Sequence, residues 1–250
     1  MERYILGVDV GGTGIKGGVV DVVNGTLVDD RKRLLTPKPA TPESVAETFA
    51  ELVRMHDWKG PVAAGFPAVV KNGICMTASN IEKSWIGLSI EKIFSEACGC
   101  PVVAVNDADA AGLAMMKLGI GKGRKGLVIV LTIGTGIGSA LFFNGELISN
   151  TELGHILFKG DIAERYCSNI VREKGDLSWE EWGTRLNEYL THLNKLFSPD
   201  CFILGGGVTK KYELFSQYLT VNVDVFAAEL KNAAGTIGAS LYAAERFNAK

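Results

Sequence analysis

The segment Gly7-Val8-Asp9-Val10-Gly11-Gly12-Thr13-Gly14-Ile15-Lys16-Gly17-Gly18-Val19-Val20-Asp21 sets a carboxylate and a glycine-rich turn between two apolar strands. A later segment repeats the pattern: Leu131-Thr132-Ile133-Gly134-Thr135-Gly136-Ile137-Gly138-Ser139-Ala140-Leu141-Phe142-Phe143. Both copies carry Thr-Gly-Ile at the turn. Both run on to an Asn-Gly pair that closes a hairpin, Asn24-Gly25 before Thr26-Leu27-Val28 and Asn144-Gly145 before Glu146-Leu147-Ile148. The chain therefore reads as an internal duplication of strand, glycine turn and strand.

Gly12-x-Gly14-x-x-Gly17 matches the spacing of a dinucleotide fingerprint, but that fingerprint must open a helix whose N-terminus faces a pyrophosphate. Here the β-branched run Gly18-Val19-Val20-Asp21-Val22-Val23 follows, so the turn belongs to a hairpin. No Gly-Lys-Ser/Thr closes it, which excludes a P-loop. Two readings stand for such a turn: glycines that only permit a tight bend, or a nest of backbone N–H groups that binds an anion. Its occurrence twice favours the second.

With 250 residues, 47% of them hydrophobic, the chain can bury a large core and is long enough for two lobes. A net charge of −2 offers no global field for nucleic acid or an acidic membrane. The longest apolar runs, such as Leu127-Val128-Ile129-Val130-Leu131, are strand length, and the first strand begins close to Met1, leaving no room for a signal peptide. A cytoplasmic protein is expected. Cys75, Cys98, Cys100, Cys167 and Cys201 lack the paired spacing of a disulfide framework or a structural zinc site and read as reduced structural thiols.

Beyond the first hairpin, Thr41 or Ser44 caps a helix through Val45, Phe49, Leu52 and Val53. Strand Pro61–Phe66, helix Ser89–Ala97 and strand Pro101–Val105 follow. A helix from about Ser178 to Leu196 carries a core stripe of Trp179, Trp182, Leu186, Tyr189, Leu190 and Leu193. The buried run Cys201-Phe202-Ile203-Leu204 enters Gly205-Gly206-Gly207, and an Ala-rich helix runs from about Gly235 to Phe247. The alternation is α/β.

Asn106-Asp107-Ala108-Asp109-Ala110-Ala111 lies where an apolar strand ends and a small-residue helix begins, a place where side chains project at the carboxyl edge of a sheet. Judged locally, Asp107 reads as an N-cap. The company of two phosphate-type hairpins and a third glycine turn shifts that reading toward a catalytic carboxylate.

Five motifs in register resemble those of the ROK sugar kinases and cover almost the whole chain: Asp9-x-Gly-Gly-Thr13, Asn106-Asp107-Ala-Asp109-Ala-Ala, Gly134-Thr135-Gly136-Ile137-Gly138, Glu152-Leu153-Gly154-His155 and Leu204-Gly-Gly-Gly207-Val208. The resemblance implies a duplicated actin-like, ribonuclease-H-like α/β fold with two lobes around a central cleft. It divides the chain into residues 1–106 with about 234–250, and residues 107–233. By position it makes Asp107 the base for a sugar hydroxyl and gives Asn80, Asn106, Glu152, His155 and Glu164 to the sugar. Taken alone, Asn80 reads as a turn residue. The donor falls to Asp9, Gly11, Gly12, Thr13, Gly14, Lys16, Thr132, Gly134, Thr135, Gly136, Gly205, Gly206 and Gly207, with Asp9 orienting Mg²⁺.

Most ROK kinases carry a Cys-x-Cys-Gly-x-x-Gly-Cys zinc segment after Gly-His, whereas this chain has Gly160-Asp161-Ile162-Ala163-Glu164-Arg165-Tyr166-Cys167-Ser168. One cysteine cannot build a four-coordinate site, so no zinc is expected. Together with Asn150-Thr151-Glu152, Leu177-Ser178-Trp179-Glu180-Glu181-Trp182 and Leu196-Phe197-Ser198-Pro199-Asp200, this departure resembles the polyphosphate glucokinase branch.

The expected function is transfer of a phosphoryl group from polyphosphate, with ATP as a further donor, to the 6-hydroxyl of glucose by a magnesium-dependent homodimer. An ATP-dependent kinase for another hexose and a non-catalytic sugar-binding regulator are the alternatives. Lys122, Arg124, Lys125, Arg172, Lys174, Lys210 and Lys211 are candidates for a cationic track along a polymeric donor.

Overall fold

The computed structural model describes residues 2–79, 81–228 and 233–248. The chain divides into two compact units, Met1–Ala114 with Lys231–Lys250, and Met115–Leu230. The first contains β1 (Tyr4–Val10), β2 (Ile15–Asp21), β3 (Thr26–Leu27), β4 (Lys32–Leu34), α1 (Pro42–Met55), β5 (Val62–Phe66), β6 (Val70–Lys71), β7 (Ile74–Cys75), α2 (Ile90–Cys98) and β8 (Val102–Asn106). Helix α3 (Asp107–Leu118) carries the division within it. The second unit continues with β9 (Leu127–Ile133), β10 (Ile137–Phe143), β11 (Glu146–Ile148), β12 (Leu157–Phe158), β13 (Asp161–Ile162), α4 (Glu164–Cys167) and α5 (Asn169–Lys174). It ends with α6 (Trp179–Phe197), β14 (Cys201–Gly205), α7 (Tyr212–Phe215) and β15 (Asp224–Ala227), and α8 (Ala234–Asn248) belongs to the first unit.

The duplication read from the turns extends to whole sheets. The first sheet runs β3-β2-β1-β5-β8, with β4 also on β2, and the second runs β11-β10-β9-β14-β15. In each, a seven-residue strand pairs antiparallel with its hairpin partner along its whole length and parallel with the strand on its other side. The second hairpin closes at Asn144 and Gly145, both with positive φ, as a two-residue turn between right-twisted strands requires.

Side chains on β1 alternate between two cores. Leu6, Val8 and Val10 pack with Phe49 of α1, Phe94 of α2, Phe66 and Trp85, while Ile5 packs on the other face with Ala110 of α3 and Ala239 and Ala243 of α8. A sheet covered on both faces explains why its strands read as nearly continuous apolar runs. In the second unit the α6 stripe of Trp182, Leu186, Tyr189, Leu190 and Leu193 is fully buried against Ile129, Leu131 and Phe202. Thr41 caps α1, Ser89 caps α2, and Ser178 with Glu181 forms a capping box on α6. At the far end of the first hairpin Arg3 lies 2.9 Å from Asp21 and holds its carboxyl down at about 2. This hold is complete above the ordinary carboxylate range and is lost as pH falls toward 2.

Helix α8 approaches its sheet and α3 at backbone distance. A Cβ on Gly7 would stand 2.2 Å from the Thr236 carbonyl oxygen, and one on Gly238 would stand 1.6 Å from that of Ala110. Gly238 has an ordinary helical position, so propensity alone would favour alanine there by about 1 kcal/mol. The packing reverses that sign. Gly238→Ala should destabilise the protein by about 1–3 kcal/mol in denaturant titrations, whereas Ala243→Gly should cost only about the propensity difference and a lost methyl contact. Equal or greater stability of Gly238→Ala would show that α8 does not sit this close.

Candidate active site

The register of β1 on β2 places Asp9 opposite Lys16 and Val10 opposite Ile15, so the turn spans Gly11 to Gly14. Gly11 N–H donates to the Gly14 carbonyl at 3.1 Å, and the Thr36 hydroxyl donates to the Gly11 carbonyl. Burial pushes the Asp9 carboxyl up, against the pull of Lys16 and Arg31. Gly235, in the first turn of α8, leaves room for that carboxylate: a Cβ there would meet Asp9 Oδ1 at 3.2 Å. Arg33 on β4 was not legible as a site residue. Its Nη2 donates to the Thr13 carbonyl at 3.4 Å, and its guanidinium fills the space a side chain at Gly14 would need, 2.6 Å from Nε. The sequence shows only a charged stretch from Asp29 to Arg33; pairing of Arg33 with Lys16 across β2 and β4 gives it a direction.

The local reading of Asp107 as the helix cap is corrected. Asn106, buried at the end of β8, caps α3: its Oδ1 accepts from Ala108 N–H at 2.9 Å and Asp109 N–H at 3.0 Å, and its Nδ2 donates to the Ala68 carbonyl at 3.0 Å. Asn fills this role as well as Asp does. Asp107 becomes the first residue of the helix, half-buried, with Oδ1 also accepting from Ala108 N–H at 2.8 Å. The macrodipole there favours its negative charge.

Glu152, His155 and Glu164 come together in the second unit. His155 Nδ1 lies 3.1 Å from Glu152 Oε2 and Nε2 lies 3.5 Å from Glu164 Oε1, with side chains 34%, 36% and 25% exposed for His155, Glu152 and Glu164. Burial, with the second carboxylate nearby, raises the Glu152 carboxyl, and His155 opposes the rise. Strand β10 holds the group. Ser139 donates to the Thr151 carbonyl at 2.6 Å and accepts from Leu153 N–H at 2.9 Å, while Gly154 lets the loop press on the strand, where a Cβ would stand 2.1 Å from the Ile137 carbonyl oxygen. Glu164 Oε2 accepts from Ile137 N–H at 3.2 Å and lies over Gly136. Gly136 is thus the floor beneath a carboxylate, and Gly134 next to it faces open space.

Pairing of Gly205 with Thr132 sets the third glycine turn beside the second. Gly205 packs on Met115, and Gly206, at φ +90°, would drive a Cβ into the Ile133 backbone; Gly207 faces open space. Arg124, ahead of β9, lies over the Phe226 ring at 3.9 Å, and Arg172 on α5 over Trp179 at 4.1 Å. Asn80 lies outside the described residues. After Gly154-His155, β12 and β13 form a tight hairpin through Lys159 and Gly160, both with positive φ. Lys159 and Tyr166 both donate to Glu188 on α6 and keep its carboxyl below the usual range.

The ROK family model matches residues 5–170. The polyphosphate glucokinase of Mycobacterium tuberculosis is 45% identical over 241 residues, 96% of this chain and 91% of the relative. The crystal structure of an inorganic polyphosphate/ATP-glucomannokinase from Arthrobacter sp. strain KM has a TM-score of 0.93 and 42% identity, covering 98% of this chain and all of that one, 100%. A ROK family glucokinase from Streptomyces griseus, solved with glucose and AMPPNP, has a TM-score of 0.77 at 25% identity over 94% of this chain and 97% of that one. The shared fold is the duplicated actin-like α/β fold that the motifs implied. On the family match, the relatives and the two matching sheets, the chain belongs to the ROK family.

Proposed function

We propose that the protein is a glucokinase that takes its phosphoryl group from polyphosphate and also from ATP. The observation that supports this reading is the division of labour at α3: Asn106 caps the helix, and Asp107, its first residue, is the carboxylate we assign as base for the sugar hydroxyl. The names of the relatives supply substrate and donor.

In this reading the 6-hydroxyl oxygen of glucose attacks the terminal phosphorus while Asp107 takes the hydroxyl proton. The bond from phosphorus to the bridging oxygen breaks and the shortened chain leaves with its charge. Glu152, His155 and Glu164 bracket other sugar hydroxyls with acceptors and a ring nitrogen, so a change in hydroxyl orientation leaves polar groups unpaired. Asn106 Nδ2 gives one amide hydrogen to the Ala68 carbonyl, and the second, without an acceptor among the described residues, is assigned to the sugar. Gly12, Thr13, Gly134 and Gly207 present backbone to the donor.

Magnesium fits Asp9: a carboxyl that burial disfavours as an anion regains its charge beside a cation, and Mg²⁺ commonly takes one carboxylate, waters and substrate phosphates. When bound it offsets charge on the transferred group. A homodimer in the cytoplasm belongs to the same reading; the five free cysteines fit a reducing compartment.

A coupled assay of glucose and mannose with polyphosphate or ATP tests the reading, and saturable turnover of glucose with polyphosphate is expected. No phosphorylation of any hexose by either donor would refute it. Asp107→Asn should lower turnover by roughly 10²–10⁴-fold with little change in melting temperature, because Asn106 supplies the cap. Near-normal turnover would remove Asp107 from the mechanism. Glu164→Gln should raise the KM for glucose more than that for polyphosphate, and the reverse would move Glu164 to the donor side.

A further inference from the structure

Across β1, β2 and β4 the register aligns three charged residues in one row: Asp9 opposite Lys16, and Lys16 opposite Arg33. Directly opposed residues on neighbouring strands project from the same face, so these side chains lie side by side beside the first glycine turn. The row runs from a carboxyl disfavoured by burial to an exposed guanidinium.

The surrounding charges already have other partners. Lys32 donates to the Met55 carbonyl at the end of α1, Asp29 holds His56 and the Val19 N–H, and Asp21 holds Arg3 at the opposite end of the hairpin. Among the described residues neither Lys16 nor Arg33 has a carboxylate within 4.0 Å. The turn is fixed on its carbonyl side, with Gly11 O taken by Thr36 and Thr13 O by Arg33. Gly12 and Thr13 are exposed, and their N–H groups have no acceptor among the described residues. Gly14 is not held at positive φ; what its missing side chain provides is room for Arg33.

We propose that Arg33 and Lys16, with the Gly12 and Thr13 N–H groups, form the seat for the phosphates that follow the transferred one, so that a polyphosphate chain leaves along β4 in the first unit. This rests on the kinase reading above and names its donor track. A planar guanidinium suits this task because it offers paired donors to phosphate oxygens, and a linear polyanion can use Arg33 and Lys16 together. The basic residues singled out in the sequence near the second and third turns are partly committed elsewhere, Arg124 and Arg172 to aromatic rings.

The experiment measures binding of linear polyphosphate by titration calorimetry, and steady-state kinetics, in wild type, Arg33→Gln, Arg33→Lys and Lys210→Gln with Lys211→Gln. Loss of one charge-assisted contact should weaken polyphosphate binding and raise its KM roughly tenfold in Arg33→Gln, with glucose binding and melting temperature unchanged and a shallower salt dependence. Arg33→Lys should fall between. Gly14→Ala should weaken polyphosphate in the wild-type background and add little to Arg33→Gln, because both remove the same guanidinium placement. Unchanged polyphosphate binding in Arg33→Gln, or a loss confined to the Lys210 and Lys211 variant, would overturn the proposal while leaving glucokinase activity standing. Failure of wild type to phosphorylate glucose would instead overturn the function, and calorimetry would still decide the seat.

Discussion

The full-length pairing of two seven-residue strands is the constraint from which each unit is built. Antiparallel pairing fixes the turn at Gly11 to Gly14 in one unit and at Gly134 to Gly136 in the other, and period-2 alternation then fixes which side chains can stand beside the turn. A one-residue slip would send Asp9 and Lys16 to the opposite face and bury charge in the α1 core. The parallel neighbours, β5 and β14, end beside these turns, so their loops and glycines fall in place without further instruction.

Around this frame, residues that hold the backbone position carboxylates and a histidine beside them. Asn106 spends its amide on the backbone and so lets Asp107 keep a carboxylate at the start of a helix. Ser139 and Gly154 hold the loop that carries Glu152 and His155, and Gly136 leaves room for Glu164. In each case the residue that looks structural sets the position of the one that looks chemical.

Much of this was legible in the sequence because it is local. Strand, turn and cap signals gave the hairpins, the Ser178 cap and the α6 stripe, and the repeated Thr-Gly-Ile exposed the duplication. Two kinds of feature were not. Which of Asn106 and Asp107 caps α3 depends on how β8 enters the helix, and both residue types cap well. Arg33 was hidden in a charged stretch because its meaning comes from a neighbour distant in sequence, Gly14, through strand pairing. Similarly, the reason for Gly238 lies in Ala110, on another helix.

The return of α8 to the first sheet has a consequence for biosynthesis. One face of that sheet, formed by Ile5, Ala63, Val103 and Val105, is covered by Ala110 of α3 and, from the other side of the second unit in sequence, by Ala239 and Ala243 of α8. During translation these strands are made before the second unit, yet the part of the face that α8 covers stays bare while the entire second unit is made. The second unit, whose core draws on residues between Ile129 and Val225, meets no such delay. The strip of the nascent first unit that awaits α8 is therefore open to aggregation until that helix has been synthesised.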